Sequence, residues 1–175
     1  MTARNDLKEL SQHFAFGENW ADYARSVDET RMEHAREGLA RLLGEVLPGR
    51  SFLDVGCGSG VHSLSALQLG ADRVLATDLD PASVATTRGM LERGAPADAR
   101  WQVEQVSVFD LDPAVQGTFD IVYSWGVLHH TGAMHEAITA AARMVRPGGW
   151  LCLALYRRTY SRFSTRHRGQ SSVRR

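Results

Sequence analysis

A glycine-rich junction at residues 52–60, Phe-Leu-Asp-Val-Gly-Cys-Gly-Ser-Gly, constrains the fold of this chain more than any other feature. A short apolar run ends in glycines at positions 56, 58 and 60, and an apolar helical pattern begins at Val61. A strand, a tight glycine turn and a helix N-terminus in this order let the backbone approach a nucleotide-like ligand closely. The dinucleotide fingerprint would have a further glycine at position 61. The junction therefore predicts a nucleotide-binding α/β sheet of another type.

Strand-like and helix-like segments alternate along the chain after this junction. The strand segments are mostly continuous apolar runs, as expected when helices cover both faces of a parallel sheet. The predicted strands cover 51–55, 73–78, 101–107, 119–125 and 150–156, with a turn at 146–149 before the last one. The predicted helices cover 28–46, 60–69, a segment that follows Asp80-Pro81, and 133–145. This pattern predicts a doubly wound, mostly parallel Rossmann-like sheet.

The chain is expected to have three parts. An N-terminal helical segment covers 1–46, an α/β core covers 47–156, and a basic tail covers 157–175. The tail contains seven Arg, no Asp or Glu, and no aliphatic residue except Val173, so we expect it to be disordered. Its composition also suggests a chain that is truncated or altered at this end. The fifth strand would then be an apolar sheet edge, which favours a homo-oligomer.

Composition excludes several classes of protein. The 175 residues are 43% hydrophobic and 23% charged, which is typical of a soluble globular protein. No apolar run approaches the roughly 18 residues of a membrane span, and the N-terminus lacks the apolar core of a signal peptide. Cys57 and Cys152 have no metal-ligand spacing, so we expect free thiols in the cytoplasm and no metal site. Residues 1–156 carry a net charge of −7, which makes nucleic-acid binding unlikely for the body of the protein.

Two carboxylates close predicted strands at the edge where such sheets bind ligands. Asp54 lies two residues before the first glycine and suits a ligand with a cationic group better than a pyrophosphate. Asp78 follows Gly60 by 18 residues, the place of the acid that accepts hydrogen bonds from ribose hydroxyls. A surface loop carboxylate is the alternative interpretation for Asp78. Asp80 precedes Pro81 and is interpreted as a helix N-cap.

Four segments together resemble the class I S-adenosylmethionine-dependent methyltransferases. They are FLDVGCGSG (52–60), VLATDLDP (74–81), FDIVYSWGVLHH (119–130) and RMVRPGGWLCLALY (143–156). The resemblance covers about residues 50–156 and is closest to the type that methylates small molecules such as quinones and natural products. It implies S-adenosylmethionine as cofactor and an O- or C-directed transfer to a small-molecule acceptor. The identity of that acceptor is not readable from the sequence.

The resemblance also implies roles for individual residues. Asp54 and the glycine loop would face the methionine end, Asp78 the ribose, and Leu79 the adenine. Where the family often has an acid for the adenine amino group, this chain has Ser107-Val108. The implied cofactor-binding residues are Asp54, Gly56, Cys57, Gly58, Gly60, Asp78, Leu79, Ser107, Val108, Ser124, Trp125 and Trp20. Ser124 and Trp125 would lie beside the sulfonium. The N-terminal segment 1–46, with FAFGENWADY, resembles the lid region of such proteins and implies a lid over the S-adenosylmethionine-binding core. Trp20 would close this lid, or serve as a core aromatic.

A general base would assist transfer to a hydroxyl acceptor. His129 and His130 directly follow the fourth strand and are the candidates, with a purely structural role for both as the alternative. The segment SWGVLHH lacks the Asn/Asp-Pro-Pro-aromatic run of adenine-methylating enzymes, which disfavours DNA methylation. Two other functions stay open: a cofactor-binding but catalytically silent partner protein, and a nicotinamide-dependent dehydrogenase. The dehydrogenase would need glycine where Val61 stands.

Overall fold

The computed structural model describes residues 29–156, and within them the apolar runs form five strands. Every paired strand is parallel, and the strand order is β3-β2-β1-β4-β5. The strands are β1 (Ser51–Val55), β2 (Arg73–Asp78), β3 (Arg100–Gln105), β4 (Phe119–Trp125) and β5 (Val145–Ala154). The sequence-based prediction of a parallel Rossmann-like α/β fold is confirmed. Because the chain leaves β1 in one direction and enters β4 on its other side, the sheet has its switch point between these two strands.

Five helices connect and cover the strands in this part of the chain. They are α1 (Glu29–Leu43), α2 (Val61–Gln68), α3 (Pro81–Gly94), α4 (Pro113–Gln116) and α5 (Met134–Arg143). Two 3₁₀ turns, Val108–Asp110 and Leu128–His130, follow β3 and β4. The side chain of Asp80 accepts a hydrogen bond from the N–H of Ala82, which confirms the predicted N-cap of α3. None of these helices has the length and hydrophobicity that crossing a bilayer requires.

The core lies on both faces of the sheet. On one face, Leu39 and Leu43 of α1 pack with α2 and α3 against a cluster that includes Phe52 and Ile121. On the other face, α5 packs against Leu53 and its neighbours. Strands β1 and β4 are buried almost throughout, which explains why their sequences are continuous apolar runs. The helices leave only the ends of these central strands open to a ligand.

The structure corrects the predicted bounds of several elements. Strand β3 ends at Gln105 instead of 107, because the side chain of Ser107 caps the following 3₁₀ turn. Strand β5 begins at Val145, so the predicted turn at 146–149 lies inside it. Register shifts from the Phe119–Val145 pair to the Ile121–Trp150 pair, so residues 146–149 form a bulge against β4. Helix α4 was missed, although its Asp112-Pro113 start repeats the signal used for α3.

The apolar faces of the helices also differ in detail from the prediction. Leu42 was expected on the buried face of the first helix but is exposed, because the buried face follows the four-residue spacing of Leu39 and Leu43. In α5 the fully buried positions include Ala140, whereas Ile138 is half-buried. The predicted lid residues 1–28 and tail residues 157–175 lie outside the described residues, so the proposed division into three parts stays a prediction.

Strand β5 is an edge of the sheet formed by residues 29–156. It carries exposed aromatic surface, with Trp150 at 55% exposure and the adjacent Tyr156 at 60%. The expectation of an apolar fifth-strand edge therefore holds in this part of the chain. Association of two copies through this edge stays a prediction.

Asp120 ties the amino ends of the central strands together. Its carboxylate accepts hydrogen bonds from the N–H and hydroxyl of Ser51 at 2.9 and 2.6 Å, and pairs with Arg146 at 2.7 Å. Arg50 contributes a longer contact of 3.3 Å. Burial opposes ionisation, but the hydrogen bonds from Ser51 and the nearby arginines hold the pKa of Asp120 below its usual value. This carboxylate is therefore ionised and paired at neutral pH.

We expect Asp120→Asn to lower the free energy of unfolding by about 1–3 kcal/mol at pH 7, because the two arginines lose a charged acceptor and one of the two acceptor oxygens becomes an amide donor. Urea denaturation followed by circular dichroism measures this. The control is Asp72→Asn, which removes an exposed ion pair with Arg100 and should cost at most about 1 kcal/mol. Equal losses in the two variants would contradict the role assigned to Asp120.

Candidate functional site

The three loop glycines occupy backbone conformations that other residues rarely adopt. Gly56, Gly58 and Gly60 have φ angles of 79°, 54° and 82°. A Cβ at Gly56 would lie 2.6 Å from the side chain of Val127, and one at Gly60 would lie 2.9 Å from the Cα of Thr87. Both the positive φ and the lack of space therefore require glycine. The result is a backbone turn at the end of β1 that packs tightly between Val127, which follows β4, and Thr87 in the middle of α3.

Hydrogen bonds anchor this loop to its neighbours. The N–H groups of Gly56 and Cys57 donate to the carbonyl oxygen of Thr77 at 2.8 and 3.0 Å. The hydroxyl of Thr87, which is fully buried in α3, lies 3.0 Å from the carbonyl oxygen of Gly58. Thr87 could not be recognised from the sequence, because a threonine inside a helix carries no signal that it faces a loop 29 residues away. Hydrogen bonds to both β2 and α3 therefore fix the position of the loop.

Asp54 lies at the end of β1 with its side chain buried, at 2% exposure. One carboxylate oxygen accepts a hydrogen bond from the hydroxyl of Ser63 at 2.6 Å. Burial raises the pKa of Asp54 to about 7, the Ser63 hydrogen bond opposes that rise, and the charge of Asp78 adds to it. Burial therefore destabilises the ionised form of Asp54, and a nearby cationic ligand group would stabilise it. The role of Asp54 toward a cationic ligand group stays a prediction.

Asp78 ends β2 beside the glycine loop. Its two carboxylate oxygens accept hydrogen bonds from the N–H of Gly58 and the N–H of Asp80, both at 3.0 Å. Burial raises the pKa of Asp78, while these backbone hydrogen bonds oppose the rise. Each carboxylate oxygen has a second lone pair, so the group is still able to accept from hydroxyls of a ligand. Its half-buried position beside the loop is not that of a surface loop carboxylate.

The thiol of Cys57 is buried between two of the loop glycines. Its sulfur atom accepts a hydrogen bond from the hydroxyl of Thr87, with 3.3 Å between the sulfur and the oxygen. Burial, with the neighbouring charges of Asp54 and Asp78, raises the pKa of Cys57 far above its usual value. A thiol held in its neutral form is a poor nucleophile, which favours a space-filling role for Cys57 in the loop.

The residues predicted to face an adenine lie beside the ends of β2 and β3. The N–H of Val106 donates to the carbonyl oxygen of Asp78 at 2.9 Å and holds the chain after β3 against the end of β2. Ser107 and Val108 are buried at the start of the 3₁₀ turn, and the Ser107 hydroxyl accepts from the N–H of Phe109 at 3.3 Å. Leu79 is half-buried in the neighbouring loop. These residues line one side of the same strand edge as Asp78.

The end of β4 carries an aromatic group that the sequence analysis only partly recognised. The Trp125 indole is 44% exposed and stacks on Tyr123 with ring centroids 5.7 Å apart. His62 of α2 packs against both rings, and burial lowers the pKa of His62 to about 4, so its imidazole is neutral. Ser124 points into the sheet, where its hydroxyl donates to the carbonyl oxygen of Val55 at 2.8 Å. Of the two residues, Trp125 alone offers its side chain to a ligand.

The two candidate bases lie in the 3₁₀ turn after β4. Their rings contact each other with centroids 3.9 Å apart. His130 is exposed, whereas His129 is half-buried and packs edge-on against Tyr156. The Nδ1 atom of His129 is buried and has no hydrogen-bond partner among the described residues. A buried polar atom without a hydrogen-bond partner is uncommon in a folded protein, which singles out His129 among the residues at this edge.

The strand ends therefore bring Asp54, the glycine loop, Asp78 and the residues after β3 and β4 to one edge of the sheet. Trp20 lies outside the described residues. Residues 29–156 contain no group of three or more His, Cys, Asp or Glu side chains suited to hold a metal ion.

Comparison with known proteins identifies the family. A family model described as a methyltransferase domain matches residues 53–153, which include the carboxyl ends of β1, β2, β3 and β4. This chain belongs to the class I S-adenosylmethionine-dependent methyltransferases. The resemblance inferred from the four segments is thereby confirmed.

Individual relatives differ in the acceptors that their names state. The chain is 34% identical over 163 residues to a ubiquinone biosynthesis O-methyltransferase of Xanthomonas euvesicatoria. The alignment covers 89% of this chain and 64% of that protein. It is 26% identical to the sugar N-methyltransferase KedS8 from a Streptoalloteichus species, and the two structures superpose with a TM-score of 0.55. That superposition covers 77% of this chain and 51% of KedS8. The N-methyltransferase NodS of Bradyrhizobium japonicum, solved with S-adenosylhomocysteine, shares the fold, with 19% identity, a TM-score of 0.56 and 71% and 61% coverage. The chain thus spans less than two-thirds of these relatives.

We expect Asp54→Asn to stabilise the ligand-free protein at pH 8.5 but not at pH 4.5. The pKa of Asp54 is higher in the folded protein, so folding favours its protonated form. The contribution of this protonated carboxyl to the free energy of unfolding is present near pH 4 and is lost as the pH rises through about 7. Between pH 5.5 and 8.5 the variant should gain about 2 kcal/mol over the wild type. Thermal unfolding of both proteins across this range measures the difference. A gain that does not vary with pH would contradict the buried, titrating carboxylate.

Proposed function

We propose that this chain binds S-adenosylmethionine at the glycine loop and transfers its methyl group to a small-molecule acceptor. The observation that carries the proposal is the convergence of the glycine loop with two partly desolvated carboxylates, Asp54 and Asp78, at the switch point of the sheet. A ligand with a cationic end and a ribose satisfies both carboxylates, whereas a pyrophosphate would repel them. Membership of the methyltransferase family supports the same ligand.

The described residues fit this cofactor one by one. Asp54 and the glycine backbone would hold its methionine end, and Asp78 would accept hydrogen bonds from its ribose hydroxyls. Leu79, Ser107 and Val108 would enclose the adenine. The loop conformation is consistent with this fit, since Gly56, Gly58 and Gly60 adopt positive φ angles that form a tight turn directly before α2. Trp20, in the proposed lid, is expected to complete the site.

When bound, S-adenosylmethionine supplies an electrophilic methyl group on a sulfonium. The contribution of this chain is to orient the acceptor and to remove its proton. Trp125 offers an exposed aromatic face at the end of β4, against which a planar acceptor would stack. Such positioning lowers the barrier by avoiding the entropy cost of alignment.

We assign the general base to His129. Its Nδ1 atom is buried without a partner among residues 29–156, so it is available to accept a proton from an acceptor hydroxyl. His130 is exposed and lies on the solvent side of the same turn. This assignment favours an O-directed transfer, as in the Xanthomonas relative, and a C-directed transfer remains the second form of the proposal. The free thiols of Cys57 and Cys152 fit a cytoplasmic location.

We expect Asp78→Asn to weaken the binding of S-adenosylhomocysteine by about 10- to 100-fold, because hydrogen bonds to a charged acceptor are lost. Calorimetric titration of the full chain measures the affinity. Asp80→Asn is the matched control, since it changes the next carboxylate along the chain while Asn still serves as an N-cap. A folded wild-type chain that binds no S-adenosylhomocysteine would refute the proposed function.

We expect His129→Gln to reduce methyl transfer by about 10²- to 10⁴-fold, and His130→Gln to reduce it by less than about tenfold. The assay follows radiolabelled methyl transfer from S-adenosylmethionine to a panel of phenols, catechols and quinols. Cofactor affinity should be the same in both variants. Equal losses in both variants would contradict the assignment. Cofactor binding with no transfer to any acceptor would favour the catalytically silent alternative.

A further inference from the structure

Among residues 29–156, one hydroxyl group donates a hydrogen bond to the buried carboxylate that closes β1. Ser63 lies in the first turn of α2, is fully buried, and donates a 2.6 Å hydrogen bond to Asp54. We propose that Ser63 is a positioning residue for cofactor binding, which orients the Asp54 carboxylate and keeps it ionised for the ammonium group of the ligand. This inference rests on the proposed function and adds a residue that the family resemblance did not supply.

The surroundings of Asp54 explain why one hydroxyl matters. From β2 it faces the carboxylate of Asp78, from β4 the phenol of Tyr123, and from the loop the thiol of Cys57. None of the groups that affect the pKa of Asp54 among residues 29–156 is a cation. Burial and a like charge therefore disfavour its ionised form, and Ser63 opposes them.

The consequence for binding is a dependence on pH. A cationic ligand group requires an ionised Asp54, and the pKa of that carboxyl in the ligand-free protein, about 7, lies within the physiological range. Binding is then coupled to the loss of a proton from Asp54 below this pH. If the hydroxyl of Ser63 is removed, ionisation becomes harder and the pH at which binding weakens should rise.

The same helix offers a matched control. Ser65 is also fully buried in α2, but its hydroxyl donates to the carbonyl oxygen of Val61 at 2.7 Å within the helix. Ser65→Ala therefore removes an equally buried hydroxyl from the same helix without touching Asp54. A general loss of packing in α2 would affect both variants, whereas loss of the Asp54 contact is specific to Ser63.

The experiment is calorimetric titration of the full chain with S-adenosylhomocysteine at several pH values between 5.5 and 8.5. We expect Ser63→Ala to move the midpoint of the affinity profile up by about one pH unit, which is about fivefold weaker binding at pH 7 and less than about twofold at pH 8.5. Ser63→Cys, of similar size but a weak donor, should show the same shift. Ser63→Thr, which keeps the hydroxyl, should restore the wild-type midpoint, and Ser65→Ala should leave it unchanged.

Circular dichroism at each pH verifies that every variant is folded, and the two serine variants Ser63→Ala and Ser63→Cys provide independent tests. A loss of affinity that is uniform across the pH range, or an equal midpoint shift in Ser65→Ala, would overturn the role of Ser63 while leaving the proposed function intact. Absence of binding by the folded wild-type chain would instead refute the proposed function, and this inference with it.

Discussion

The glycine loop after β1 is the constraint on which the candidate site depends. Its backbone turns through left-handed conformations because Val127 approaches Gly56 and the backbone of α3 approaches Gly60, which leaves no room for a side chain at either glycine. The loop is then fastened by the carbonyl oxygen of Thr77 and the hydroxyl of Thr87. These contacts join β1, β2, β4 and α3 at one point. The same contacts fix the loop backbone beside the carboxylate of Asp78, which accepts a hydrogen bond from the N–H of Gly58.

Charge is distributed differently at the two ends of the sheet. At the amino end, Asp120 is paired with Arg146 and with Ser51, so its charge is compensated within the protein. At the carboxyl end, the charge of Asp78 raises the pKa of Asp54, and none of the groups within residues 29–156 that shift the pKa of either carboxyl is a cation. A protein that leaves two carboxylates in this state destabilises itself slightly in the absence of ligand. The uncompensated charge at one end is what a cationic ligand would satisfy.

Residue patterns predicted the elements whose signal is local. Strands β1, β2 and β4 have the expected bounds because each is an apolar run between turn residues, and α3 begins where Asp80-Pro81 predicts. Strand β5 was placed five residues too late, because the sequence Arg-Pro-Gly-Gly indicates a turn whether it ends a strand or forms a bulge within one. The family of methyltransferases was also readable, since its motifs occur at the ends of the strands in chain order.

By itself, the sequence determined the α/β class, the glycine loop, and the two acids that follow β1 and β2, because each depends on residues adjacent in the chain. The contacts across elements were decided only by the tertiary structure. Ser63 reaches Asp54, Thr87 reaches Gly58, and His62 packs beneath Trp125, through the docking of α2 and α3 on the sheet. Serine, threonine and histidine inside helices carry no sequence signal of what they face, because that partner is set by the packing angle and register of the helix.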